Sequence, residues 1–481
     1  MEKRFGGFEI LKMGEEHMVE HSKISIVMPC LNSAAYIGMA IESVLKQTLT
    51  ELELIIVDAG STDSTLKIIE KYKKEDDRIV VLVSEKKSLG HQYNKGIQYA
   101  RGKYIGFIES DDFIHCQMYQ KLYEKAEENQ LDFVKSDFDL FMGDGDKRLI
   151  LNYSILTAYY KDLYYTVIEP QKHSWILYHD MNMWNGLYNR MFLLENHIML
   201  NETKGAAFQD MGFVFQTFIS AKRVMYIQSP SYYYRRDNEN ASQYNRMSHM
   251  QFVTDELEFT WEYMNQRQIS IPFREIIFNR CFGLFSQIYG HYLCHDSSEK
   301  KKIDCREYLK VLRTCYEAMD YSEIRDEELD ESISFNMLRL GEKQFDTAVK
   351  CNYQSKQYME KAFFDFIDNH KFIIFGLGEQ GKALLALCHK RNIRKNVVGL
   401  CDNDKKKSGE NFLGKICKLP NEFYEENPEL WKEVYFVIAN VTCYEEIRDQ
   451  MINMGIERKK IIHCIVWIKT HSVMEIEKEN G

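Results

Sequence analysis

The chain has 481 residues, 45% hydrophobic and 28% charged, with a formal net charge of −10. Its length exceeds one ordinary core, so two or three domains are expected. The acidic balance argues against a nucleic-acid partner, which needs a basic face, and leaves open an anionic substrate held at a local site.

The 12 cysteines include no CxxC pair, which excludes the usual zinc framework and a dense disulfide scaffold and suits a reducing compartment. The N-terminal stretch lacks the apolar core of a signal peptide, and no run approaches the ~18 apolar residues of a membrane span. A soluble, cytoplasmic protein is expected, and peripheral contact at the cytoplasmic membrane face is compatible with that.

Residues 1–22 read as a polar leader. Ile24 to Pro29 is a buried-type strand, after which Asn32 and Ser33 offer N-caps for a helix from about Ala35 to Lys46. Leu52 to Asp58 is the next strand, followed by the turn AGSTDST and a helix through Ile68 to Lys73. Ile79 to Ser84 is a strand, Gly90 to Ala100 a helix, and Tyr104 to Ile108 a strand. This rhythm, to about residue 135, predicts βαβ units and a mostly parallel sheet. From 150 to 245 the pattern loosens and aromatics are dense; 250–365 reads as helical, with the acidic run Glu323 to Glu331 a solvated face or linker. At Lys371 the βα rhythm restarts, with strands at Val397 to Cys401, Tyr435 to Ala439 and Ile461 to Ile465 and a helix at Glu445 to Met454. The expected division is a leader (1–22), an α/β nucleotide-binding domain (23–249), a helical region (250–365) and a second, small Rossmann-like α/β domain (366–481).

Two stretches carry chemistry. In KYIGFIESDDF an apolar strand runs into Glu109, Ser110, Asp111 and Asp112. Carboxylates this close repel unless a cation sits among them, and a hard divalent ion bridging to phosphate is the usual solution; an acidic solvated turn is the simpler alternative. At the end of the preceding sheet segment, Asp58 can accept from a base or ribose, and the turn's N–H groups suit phosphate. Ser61 and Asp63 as helix caps are the simpler reading there.

The segments VMPCLNSAAYIGMAIESVLKQT, LELIIVDAGSTDSTLKII and SLGHQYNKGIQYARGKYIGFIESDDF, in this order and spacing, closely resemble glycosyltransferase family 2. The resemblance spans about residues 23–245. It implies a GT-A fold, inverting transfer from a nucleoside-diphosphate sugar, most plausibly a UDP-sugar, and Mn2+ or Mg2+ as cofactor. It implies that Pro29, Leu31 and Asn32 line the base pocket, and that Asp58, Ser61 and Asp63 serve the donor. Asn94 and Gly96 would face the diphosphate or sugar. Glu109 and Asp111 match the ends of the family's DxD motif, with Ser110 between. Asp111 and Asp112 are the expected metal ligands, because Glu109 departs from the commoner Asp. Ala59 also departs, standing where a second Asp is frequent.

In NETKGAAFQDMGFVFQTF relatives commonly carry an acidic pair. Gln209 replaces its first member, so the resemblance makes Asp210 the catalytic base, taking the acceptor hydroxyl's proton; a helix N-cap is its simpler role. In SPSYYYRRDNENAS, Asp237 stands where a His is frequent and would reach the metal, while Arg235 and Arg236 would clamp phosphate. Trp184, Asn185 and Tyr188 fall where relatives shape the acceptor side, although aromatics at this spacing are also core formers. The implied partners are a nucleotide-sugar donor and a saccharide or lipid-linked saccharide acceptor, in surface polysaccharide biosynthesis.

Gly376, Gly378 and Gly381 follow a strand and open a helix, and Asp402 ends the next strand, which is the context of a dinucleotide fingerprint. Tight helix–strand packing explains the glycines equally well. NAD or another nucleotide could bind there, and this keeps a rival open: an NAD-linked oxidoreductase or nucleotide sensor working through the C-terminal domain, with a degenerate transferase half as scaffold.

Overall fold

The structure is a computed structural model and describes residues 22–143, 149–156, 158–238, 250–267, 269, 271–295, 299–318, 338, 340–439 and 444–464. The expected leader (but for Ser22) and the run Glu323 to Glu331 lie outside the described residues. The chain divides into two compact units, Met1–Leu140 with Tyr153–Val349, and Phe141–Asn152 with Lys350–Gly481.

The first unit opens as β1 (Ile24–Cys30), α1 (Ile37–Leu45), β2 (Leu52–Asp58), α2 (Thr65–Glu75), β3 (Ile79–Val83), α3 (Leu89–Tyr99) and β4 (Tyr104–Phe107). Every residue of β1 and β2 is buried, as unbroken apolar runs require when helices cover both faces of a parallel sheet. β1 pairs in parallel with β2 on one side and β4 on the other, and β3 pairs in parallel with β2. The expected caps of α1 do not cap it: Tyr36 precedes the helix without a side-chain cap bond. Asn32 instead has a positive φ of 52°, and its Oδ1 accepts from the Thr62 N–H at 2.8 Å.

The chain continues with β5 (Phe113–Ile114), α4 (Met118–Asn129), β6 (Phe133–Met142), β7 (Leu149–Tyr153), β8 (Gly186–Asn189), α5 (Arg190–Glu195), α6 (Gln209–Ser220) and β9 (Val224–Arg235). Among the described residues nine strands form one sheet, ordered β3-β2-β1-β4-β8-β6-β9-β5, with β7 paired to β6. β4–β8, β6–β8 and β5–β9 are antiparallel, so the sheet is mixed where the βα rhythm predicts mostly parallel pairing. The signal of β6 is masked because its sequence, FVKSDFDLFM, is buried throughout despite three charges. Two of those charges find partners inside: Lys135 Nζ lies 2.7 Å from Asp180, and Asp137 accepts from the Tyr164 hydroxyl at 2.7 Å.

Helices follow as expected: α7 (Met250–Asn265), α8 (Ile271–His295), α9 (Glu299–Glu317) and α10 (Glu342–Asn369). α7 packs on α6 and α8.

The second unit contains β10 (Phe372–Phe375), α11 (Glu379–Lys390), β11 (Val397–Cys401), β12 (Asn411–Phe412), β13 (Lys415–Lys418), α12 (Pro420–Glu426), α13 (Pro428–Glu433), β14 (Tyr435–Ile438), α14 (Tyr444–Asn453) and β15 (Ile461–His463). Its sheet runs β12-β13-β11-β10-β14-β15, parallel except for the β12–β13 hairpin. Phe372 and Ile374 enter one apolar cluster, and Ile373 and Phe375 enter another. Alternate residues thus bury on opposite faces, which makes this a three-layer Rossmann-like unit.

Candidate active site

β1 lies between β2 and β4, so the sheet order reverses there, and a crevice opens beyond the carboxyl ends of β1 and β4. A cleft of about 610 Å³ occupies that position. Pro29, Leu31 and Asn32 line it from the end of β1, and Glu109, Ser110 and Asp111 from the end of β4. Tyr36, Lys87, Lys204, Tyr234 and Arg235 complete the walls.

The turn after β2 holds the first wall in place. Asp58 is buried, and its Oδ2 accepts from the N–H groups of Gly60 at 2.8 Å and Ser61 at 3.0 Å. Its Oδ1 accepts from Ser61 Oγ at 2.5 Å. Ser61 Oγ in turn accepts from the Asn32 N–H at 2.9 Å, and Asp63 accepts from Thr65 N–H at 2.9 Å and Ala34 N–H at 3.1 Å. Asp58, Ser61 and Asp63 are not among the residues that line the cleft. They fix the 31–34 loop that does.

Asn94 and Gly96 also depart from the expected donor contact. Asn94 is buried and pairs both ways with the Leu200 backbone, at 2.9 Å each. A Cβ on Gly96 would lie 2.2 Å from Val27 Cγ1, so this glycine lets α3 approach β1. Gly96→Ala is expected to destabilise the first unit by about 1–3 kcal/mol through overpacking, measured by thermal or denaturant unfolding.

On the cleft floor, oxygens of Glu109, Asp111 and Asp112 lie within 4.8 Å of one another. Asp112 is fully buried and committed to β9: Oδ1 accepts from the Arg235 N–H at 2.7 Å and Oδ2 from the Tyr232 hydroxyl at 2.6 Å. Asp111 Oδ2 accepts from Asn238 Nδ2 at 2.7 Å. Burial, then repulsion from Asp111 and Asp210, pushes the Glu109 carboxyl up to about 8. Burial likewise raises Asp111 and, more strongly, Asp112. Such a cluster is short of positive charge and fits a hard cation with oxygen ligands. Glu109 and Asp111 face the cleft, whereas Asp112 lies behind it; the sequence favoured Asp111 and Asp112.

Asp237, expected to reach the metal, pairs with Arg235 Nη1 at 3.0 Å and is not one of the three clustered acids. Arg235 Nε also donates to the Asp111 carbonyl at 3.0 Å. Arg235 lines the cleft and Arg236 does not, although both are buried; the Arg236 guanidinium lies 5.3 Å from the Tyr234 ring centre.

Asp210 lies in the first turn of α6, after Phe208 in the left-handed region. It is not the cap; its Oδ1 accepts from the Met211 N–H at 3.1 Å, and the helix N-terminus favours its anionic form. Its charge adds, after burial and Asp111, to the upward shift of the Glu109 carboxyl, and it is not among the residues that line the cleft. Gln209, fully buried, takes a role the sequence did not signal. Its Oε1 accepts from the Ala207 N–H at 2.6 Å and its Nε2 donates to Thr203 Oγ1 at 2.9 Å. Gly205 also exchanges backbone bonds with Lys87 and Leu89, at 2.9 Å each. Lys204 and Lys87 are thereby carried on one joined wall.

The expected acceptor residues are interior. Asn185 and Tyr188 have no exposed surface: Asn185 donates to the Ser136 carbonyl at 2.7 Å, and Tyr188 packs on Phe107, Phe133 and Phe213. Trp184 stacks on Tyr232 and Tyr234, with ring centres 4.2 and 5.0 Å away. All three are buried and none is among the residues that line the cleft.

In the second unit, Gly376 has a φ of 91°, and a Cβ on Gly381 would meet the Gly376 carbonyl oxygen. Those two glycines serve the tight strand-to-helix turn; Gly378 faces open space. Asp402 Oδ2 accepts from the Leu377 N–H at 2.6 Å and Lys407 Nζ at 2.8 Å, and Oδ1 from the Asp404 N–H at 2.9 Å. The carboxylate a dinucleotide's ribose would need is committed to the loop itself, which does not fit the NAD contact the motif implies.

Residues 25–180 match the family model Glycosyl transferase family 2. The chain carries a glycosyl transferase family 2 domain. Residues 368–462 match a second model, C2185-like, N-terminal. The chain is 34% identical over 218 residues to the uncharacterized glycosyltransferase EpsJ of Bacillus subtilis, covering 45% of this chain and 62% of EpsJ. It therefore spans less than two thirds of that relative. It is 27% identical over 281 residues to the cholesterol galactosyltransferase of Borreliella burgdorferi, covering 57% of this chain and 74% of that protein. The structure superposes on S. aureus TarS residues 1–349 in complex with UDP-GlcNAc with a TM-score of 0.51 and 17% identity, covering 70% of this chain and 92% of TarS 1–349. That likeness is one of fold, and the glycosyl transferase family 2 domain has the mixed-sheet GT-A architecture. Among the described residues no helix is long and apolar enough to cross a membrane.

Proposed function

We propose that the chain is an inverting glycosyltransferase that moves a sugar from a nucleoside-diphosphate donor, UDP-linked, to a saccharide hydroxyl in polysaccharide or glycolipid assembly. The observation that carries this reading is the cluster of Glu109, Asp111 and Asp112 at the floor of a cleft beyond the carboxyl ends of β1 and β4, with the Asp210 charge acting on Glu109. The relatives named as glycosyltransferases support it.

In this reading Pro29, Leu31 and Asn32 receive the nucleoside. Glu109 and Asp111 hold Mn2+ or Mg2+, with Asp112 behind them. The bound cation would offset charge building on the leaving diphosphate. Arg235, Lys87 and Lys204 neutralise the remaining phosphate charge from the walls. Asp210 accepts the proton of the acceptor hydroxyl while that oxygen bonds to the anomeric carbon and the anomeric carbon–phosphate oxygen bond breaks. Attack opposite the leaving group inverts the anomeric centre.

Calorimetric titration of the full-length chain with UDP, with and without Mn2+, and separately with NAD+, tests the reading. UDP binding that requires Mn2+ is expected. NAD+ binding with silence toward UDP would move the function to residues 366–481 and overturn it.

A further inference from the structure

Three of the four groups around the acid cluster have hydrogen-bond partners: Asp111 has Asn238, Asp112 has Tyr232 and the Arg235 N–H, and Asp210 has the Met211 N–H. Among the described residues the Glu109 side chain accepts no hydrogen bond, although its backbone N–H donates to Tyr232 Oη at 3.0 Å. Against this acceptor without a donor stands a donor without an acceptor. Tyr93, on α3, is 1% exposed, and its hydroxyl has no hydrogen-bond partner. Its ring stands edge-on to Phe107, two residues before Glu109, with centres 5.3 Å apart. Burial holds that hydroxyl neutral first, and the charges of Glu109, then Asp210, Asp112 and Asp111, add to this. A buried hydroxyl left unpaired costs about 1–3 kcal/mol, so this arrangement is primed to change when the cluster is neutralised.

We propose that Tyr93 is the positioning residue for Glu109: when a divalent cation enters, one Glu109 oxygen turns to the cation and the other accepts the Tyr93 hydroxyl. This rests on the glycosyltransferase reading of the cleft. It adds a donor that the strand-end motif does not contain, supplied from a helix that covers the sheet. Carboxylates that bind metals are themselves oriented by hydrogen bonds from behind, and removing such a partner typically costs 10- to 100-fold in metal affinity. No proton leaves Tyr93 in this role; the hydroxyl only donates.

Tyr93→Phe removes one oxygen and keeps the ring on Phe107. Two measurements are made on the full-length chain: the Mn2+ dissociation constant by calorimetry without nucleotide, and the thermal midpoint of metal-free protein. The expected result is a Mn2+ dissociation constant raised about 10-fold, with a metal-free midpoint equal to or above that of the parent, because an unpaired buried hydroxyl has been deleted. A lowered midpoint with unchanged Mn2+ affinity would assign Tyr93 a purely structural role and overturn the proposal. Unchanged values of both would overturn it as well. If the parent binds UDP without any Mn2+, the metal part of the transferase reading fails and Tyr93 has no cation to serve. If the parent binds Mn2+ and the variant binds it equally well, only the Tyr93 proposal fails.

Discussion

Asp210→Asn is expected to lower the transfer rate about 10³-fold, within the range general-base removal commonly gives, while UDP binding with Mn2+ stays within about twofold. Asp210 sits in the first turn of α6, where a negative charge is stabilised by the helix dipole, and burial raises the carboxyls of Glu109, Asp111 and Asp112. Unequal environments for nearby carboxyls assign different roles to them. Asparagine retains an oxygen for the Met211 N–H, so the helix start is preserved and the loss is confined to proton acceptance. Single-turnover transfer from a UDP-sugar to a saccharide acceptor panel, with UDP titration as the control, checks it. Full transfer by the variant would remove Asp210 from the chemistry.

Asp111→Asn is expected to abolish the Mn2+ dependence of UDP binding and to lower transfer by about 4 kcal/mol, roughly 10³-fold. Asp111 is the aspartate of the cluster that lines the cleft. The amide still presents an oxygen to Asn238, and it removes one of three crowded, buried acids. The metal-free thermal midpoint should therefore stay level or rise, which separates a lost ligand from a damaged fold. Titration with UDP in the presence and absence of Mn2+, alongside melting of the metal-free variant, decides between them. Metal-dependent UDP binding equal to the parent's would take Asp111 out of the metal site.

The outcome of the site reading follows from how far apart partners lie in the chain. Pro29, Leu31, Asn32, Glu109, Ser110 and Asp111 reached the cleft because each sits at the end of a parallel strand, and strand ends are legible from a buried apolar run stopped by polar residues. Asp112, one residue on, is occupied by Tyr232, which is 120 residues away. Asn94 is occupied by Leu200, 106 residues away. No local pattern announces such bonds. Gln209 looked like a lost carboxylate and is instead the amide that ties the 203–207 loop, a role that needs both a donor and an acceptor and that an acid could not fill.

The sequence by itself determined the parallel half of the sheet, β1 to β4, because contiguous apolar runs separated by glycine and capping turns admit one βαβ path. It also determined the second Rossmann-like unit and the resemblance to glycosyltransferase family 2. Tertiary structure decided the antiparallel half, since the burial of Lys135 and Asp137 depends on partners outside their strand. It also decided which of two adjacent arginines faces the cleft, and which acids remain available to a cation once the others are hydrogen-bonded. Side-chain type and spacing establish what a residue can do; the hydrogen bonds it has already made inside the fold establish what remains free to act.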